Sequence, residues 1–139
     1  LELKIMLTNK KRLKIIKKLI DQNQLEVFID YATIDLTPGT FICFNDLLEV
    51  NEIKLEDDFL TNIEKILNLY KKNKDINFIN LAFLTTDFYF KSLKDNKNSS
   101  LDTIIHQKSF VINNLNKFVT YNLNQQSLIN ALDNELYNE

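Results

Sequence analysis

Thr37-Pro38-Gly39-Thr40 holds the only proline and the only glycine among 139 residues, and that scarcity decides the fold class. Domains rich in β-structure need many tight turns, and tight turns draw on Gly, Pro and Asp. Asn can serve at some turns, yet the shortage favours helices joined by polar connectors. The expected fold is all-α, a compact irregular bundle of about five or six helices forming one domain. A succession of helical hairpins would also permit an irregular solenoid, although no repeat of fixed period is visible.

The same tetrapeptide divides the stretch that periodicity leaves open. Upstream, Leu25, Phe28, Ile29 and Ala32 recur at helical spacing, while Val27, Ile29 and Tyr31 alternate as in a strand. Helix is the reading adopted there, with Thr-Pro-Gly as its break. Downstream, the short apolar run Phe41-Ile42-Cys43-Phe44 makes Phe41–Val50 the segment expected to be extended or irregular. One or two short strands within 25–50 would convert the fold to α+β, which is the alternative.

Outward from this stretch the helical signals are clearer. Thr8 or Asn9 can cap a helix with Leu13, Ile16, Leu19 and Ile20 inward, ending near Asn23. Asp57 and Asp58 open a helix whose inner stripe is Leu60, Ile63, Leu67 and Tyr70. Acids at its start and Lys71, Lys72 and Lys74 at its end suit the helix dipole. Asp75 caps a helix that is apolar nearly all round from Ile79 to Leu93, and this should be the most buried element. Lys94–Ser100 reads as a loop. Ser100 caps a long helix with Leu101, Ile104, Ile105, Ile112, Leu115, Phe118 and Val119 inward. Asn122–Asn124 break it before a last helix carrying Leu128, Ile129, Leu132 and Leu136.

Composition narrows the function. Apolar residues make up 45% of the chain, enough for a core without disulfides or metals. The net charge of −2 selects neither nucleic acid nor membrane as a partner. No run of about 18 apolar residues marks a membrane span, and lysines interrupting Leu13–Ile20 speak against a signal peptide. Few cysteines fit a reducing compartment, so a cytoplasmic location is expected. Leu1–Ile5 precede Met6 and are set aside as upstream residues. The wealth of Asn, Lys and Ile looks like the coding bias of an AT-rich genome.

Chemistry is scarce. His106 is the sole histidine and Cys43 the sole cysteine, so this chain cannot supply the four N or S ligands of a structural zinc site. Cys43, inside an apolar run, reads as a buried hydrophobe rather than a reactive thiol. A nucleophile system would have to use His106 as base, and Asp102 lies four residues before it on the same helix face. That spacing is common by chance. Asp30 with Asp35, or Asp57 with Asp58, could hold magnesium only with help from substrate phosphates, and Asp57-Asp58 is better explained as a helix start. Asp87, inside an apolar helix, should point outward or bond Lys91. With one glycine no phosphate-binding loop is possible. The expectation is a non-enzyme with no catalytic residues, no metal and no cofactor; a site built on Asp87, Asp102 and His106 is the weakest alternative.

Two charged features remain. Lys10, Lys11, Lys14, Lys17 and Lys18 crowd one broad face of the first helix, and a solvated face explains them best. The sharper alternative is a helical nucleic-acid-binding or regulatory module. The lack of interleaved aromatics and the single arginine, Arg12, weigh against it, because guanidinium forks and stacking rings carry base readout. The second feature is Asp46, Glu49, Glu52, Glu56, Asp57 and Asp58, opposed by Lys54 alone and anchored by Leu47, Leu48, Val50, Ile53 and Leu55. A solvated loop is the default. The functional expectation is a protein-binding module, in its sharpest form an immunity or antitoxin-type inhibitor that docks these acids onto a basic toxin domain such as a nuclease. No membrane partner is expected.

Overall fold

The computed structural model describes residues 8–96 and 100–137, and every regular element among them is an α-helix. In chain order these are α1 (Asn9–Asn23), α2 (Pro38–Val50), α3 (Phe59–Asn73), α4 (Ile76–Asp95), α5 (Leu101–Tyr121) and α6 (Gln125–Tyr137). The all-α expectation therefore holds among the described residues, and the α+β alternative does not. The residues form two compact units, one ending at Lys54 and the other beginning at Leu55.

In the first unit α1 packs against α2. Thr8 caps α1, its hydroxyl accepting from the Lys11 N–H at 3.3 Å. Ile16 is fully buried on the inner face, and beside it Arg12 is only 6% exposed. The Arg12 Nη1 donates to the carbonyls of Tyr31 (3.1 Å), Ile34 (3.4 Å) and Leu36 (3.0 Å). Its Nη2 and Nε donate to Asn9 Oδ1 at 2.7 and 3.3 Å. The only arginine is thus spent on organising backbone.

The two ambiguous segments exchange their expected roles. Leu25–Ala32 is not a helix, and Phe41–Val50 is neither extended nor irregular but lies within α2. The reason for the second is local: Thr37 is the N-cap, its hydroxyl accepting the Thr40 N–H at 3.2 Å, and Pro38 occupies the first turn. Proline suits that position because its missing N–H would have no helical partner there. Thr-Pro-Gly is the start signal of α2 and ends no helix. The reason for the first is tertiary. Asn45, 1% exposed on α2, accepts the Phe28 N–H and donates to the Glu26 carbonyl, both at 2.8 Å. Those bonds replace a helical ladder and hold the segment irregular, with Ile29 buried at 1% exposure. Asp30 then closes a turn, its carbonyl accepting from Thr33 and Ile34 and its side chain from Ala32.

In the second unit α3 packs on α4, α4 on α5, α5 on α6, and α6 back on α3, so the four helices close a ring around one core. The caps are the expected ones: Asp58, Asp75 and Ser100 accept backbone N–H groups of Thr61, Asn77 and Thr103. α4 is the most buried helix, as anticipated, with Phe78, Ile79, Leu81, Ala82, Leu84 and Phe90 in the core. Its buried Thr85 and Thr86 hydroxyls donate to carbonyls one turn back, at 2.8 Å each, so they enter the core satisfied. On α3 the buried face includes Phe59, Ile63, Ile66 and Leu67, while Leu60 and Tyr70 are half-buried. On α5, Leu101 and Ile105 are 56% exposed, contrary to expectation, and Val111 takes the inward place with Ile104, Leu115 and Phe118. The expected loop from Lys94 begins later, because α4 runs to Asp95; its residues 97–99 lie outside the described residues.

Candidate functional site

All six acids singled out in the sequence, Asp46, Glu49, Glu52, Glu56, Asp57 and Asp58, are exposed. They divide evenly between the units, three ending the first and three beginning the second. Asp46 and Glu49 stand three residues apart on α2, hence on neighbouring parts of one face. Glu52 follows the helix end in a left-handed conformation (φ 54°), and the Ile53 N–H returns to the Leu48 carbonyl at 2.9 Å. With Leu48 and Ile53 buried, that corner is tied down rather than frayed.

In the second unit Leu55 and Phe59 are buried and bracket Glu56, Asp57 and Asp58. Asp58 has a structural task besides its charge: its Oδ2 accepts from the Thr61 N–H at 3.0 Å and the Thr61 hydroxyl at 2.8 Å. These three acids edge a pocket of about 320 Å³ whose other walls are Leu55, Phe59, Phe88, Tyr89, Ser92 and Tyr137. The Phe59 and Tyr89 rings are stacked, centroids 4.4 Å apart and 12° from parallel. Tyr137 hydrogen-bonds to Tyr89. Partial burial of a side chain that stays 48% exposed, then that bond and the nearby charges of Tyr89, Asp58 and Asp133, holds the Tyr137 phenol above its usual pKa. In a spectrophotometric titration of the five tyrosines, one should ionise after the rest. Tyr137→Phe should remove that late step; a curve of unchanged shape in the variant would contradict the hydrogen-bonded pair.

The remaining candidates are scattered. Lys10, Lys11, Lys14, Lys17 and Lys18 are all exposed on α1, with Arg12 turned away from them. Asp87 is exposed and pairs with Lys108 of α5 at 3.1 Å. His106, its side chain 76% exposed, lies 3.3 Å from Glu135 of α6 rather than being held by Asp102. Asp102 sits exposed in the first turn of α5, where its charge suits the helix N-terminus. Asp87, Asp102 and His106 therefore have separate local roles. Asp35 approaches Arg12 at 3.4 Å, and Asp30 organises its own turn. Cys43 is half-buried rather than fully buried, in a recess of about 190 Å³ with Leu25, Ile42, Asn45, Asp46 and Glu49. Among the described residues no group of three or more His, Cys, Asp and Glu side chains is placed to hold a metal ion.

The acids were legible from sequence, but the aromatic side of the pocket was not. Tyr89 is embedded in a helix that reads as apolar throughout, and Tyr137 lies at the far end of α6. No helix among the described residues is long and apolar enough to cross a membrane. Compared with protein-family models, curated protein sequences and solved structures, the chain gives no match, so its site is read from its own residues.

Proposed function

We propose that this chain is a non-catalytic protein-binding module that engages a basic partner through its exposed acids, in the manner of an immunity or antitoxin-type inhibitor. The observation that carries the reading is the exposure of all six acids on backbone anchored by buried Leu48, Ile53, Leu55 and Phe59. Charges held in place cost little ordering on association and speed encounter with a surface of opposite sign. The five exposed lysines of α1 remain available to phosphate, but the one arginine is committed to backbone carbonyls. That supports base readout less well than it supports protein docking.

The test is affinity isolation at low salt, followed by calorimetric titration with the purified partner. The partner should be basic, and association should slow as salt rises. Asp46→Lys, Glu49→Lys, Glu56→Lys and Asp57→Lys together should weaken binding by at least about 100-fold, since each rim charge contributes modestly but reversal makes each repulsive. Asp58 is left intact because it caps α3. An acidic partner, or a quadruple variant that folds and binds undiminished, would sink the proposal.

A further inference from the structure

We infer that the pocket beside Asp57 receives an arginine side chain of that basic partner. The inference rests on the protein-binding reading above and adds to it the chemical group that the second unit recognises. The walls speak first for a cation. Glu56, Asp57 and Asp58 line the pocket, and no lysine or arginine does. Asp58 is partly occupied as a helix cap, whereas no hydrogen bond or ion pair engages Glu56 or Asp57 among the described residues. The rest of the lining is mostly aromatic, with Phe59 stacked on Tyr89 and Tyr137 bonded to Tyr89.

A pocket lined by both carboxylates and aromatic rings suits a flat, weakly hydrated cation better than a compact one. A guanidinium can lie against an aromatic face and still turn its N–H fork onto a carboxylate. A metal ion would gain nothing from the rings, and the acids are not clustered as a metal site among the described residues. The volume of about 320 Å³ lies at the low end for ligand pockets, which admits a long side chain but not a large cofactor. Ser92 and Tyr137 complete the lining and bring no positive charge to it.

The experiment is a titration of the intact protein with Nα-acetyl-arginine amide, followed by ¹H–¹⁵N NMR. Shifts should saturate at an affinity on the order of 1 mM, as small ligands of this size reach. They should centre on residues 55–59, 88–92 and 137. Nα-acetyl-citrulline amide, neutral but of nearly the same shape, should bind at least about 10-fold more weakly. The Glu56→Gln, Asp57→Asn variant should weaken the arginine probe at least about 5-fold while leaving the unliganded spectrum otherwise folded. Shifts elsewhere, equal binding of citrulline, or an unaffected double variant would overturn the inference. Agmatine binding more than about 10-fold tighter than the capped arginine would overturn it too, because the ligand would then be a free small cation. If the probe fails while charge reversal still abolishes partner binding, only the pocket falls. If the probe binds as stated and no basic protein does, the docking reading falls instead.

Discussion

Arg12→Ala is expected to lower stability by about 2–4 kcal/mol, read from the midpoint of urea unfolding. The side chain is 6% exposed, and its Nη1 serves three carbonyls, those of Tyr31, Ile34 and Leu36. Removing the donor strands acceptors that the surrounding chain has already withdrawn from water, at about 1–3 kcal/mol for each one fully buried. These carbonyls are partly open, which sets the total below the sum. The contact with Asp35 adds little, because that carboxylate is almost wholly solvated. Arg12→Lys should recover less than half of the loss, since one ammonium cannot span Asn9 and three carbonyls at once. Hydrogen exchange should speed up at residues 26–36 in both variants. A loss under about 0.5 kcal/mol, or unchanged exchange there, would show that the irregular segment is held by something else.

The behaviour of that segment shows why part of the fold could be read from sequence and part could not. Thr8, Asp58, Asp75 and Ser100 each precede an apolar periodic run, and a cap is a local event, so all four helix starts were visible. Asn122 was visible as a stop because asparagine enters the left-handed conformation it takes, φ 51°, more readily than most residues other than glycine. Residues 25–36 follow a different logic. Their backbone groups are satisfied by Asn45, 17 and 19 positions away, and by Arg12, 19 to 24 positions away on the other side. No window of neighbouring residues contains that information. The helical spacing of Leu25, Phe28 and Ile29 was a coincidence of pattern that tertiary hydrogen bonds override.

The candidate site divides along the same line. Exposure of the acids follows from charge and from alternation with apolar anchors, both local. That Tyr89 and Tyr137 would meet beside Asp58 depends on α6 packing back onto α3, a contact between residues far apart in the chain. Neither the sole histidine nor the sole cysteine lines the pocket.

Phe90→Ala is expected to cost about 3–5 kcal/mol, the range for removing a fully buried aromatic ring. Phe90 is 2% exposed at the inner face of α4 and sits edge-on to both Phe59 (6.2 Å, 66°) and Tyr89 (5.0 Å, 74°). Two losses combine: the apolar area returned to water, and a cavity among rings too stiff to collapse into it. Phe90→Leu restores part of the volume and should cost roughly 1–2 kcal/mol, so the pair separates cavity formation from loss of ring geometry. Phe88→Ala is the control on the same helix, because that half-buried ring lines the pocket and its removal should cost about 1 kcal/mol. The larger loss should come as a lower urea midpoint with an unchanged slope. Because Phe59 both stacks on Tyr89 and follows the capping Asp58, loosening Phe90 should also reach the pocket. The arginine probe should then bind more weakly to Phe90→Ala than to Phe90→Leu, even in conditions where both are fully folded. Equal stability of Phe90→Ala and Phe88→Ala would mean that the ring cluster is not the core of the second unit, and that the pocket does not draw its shape from it.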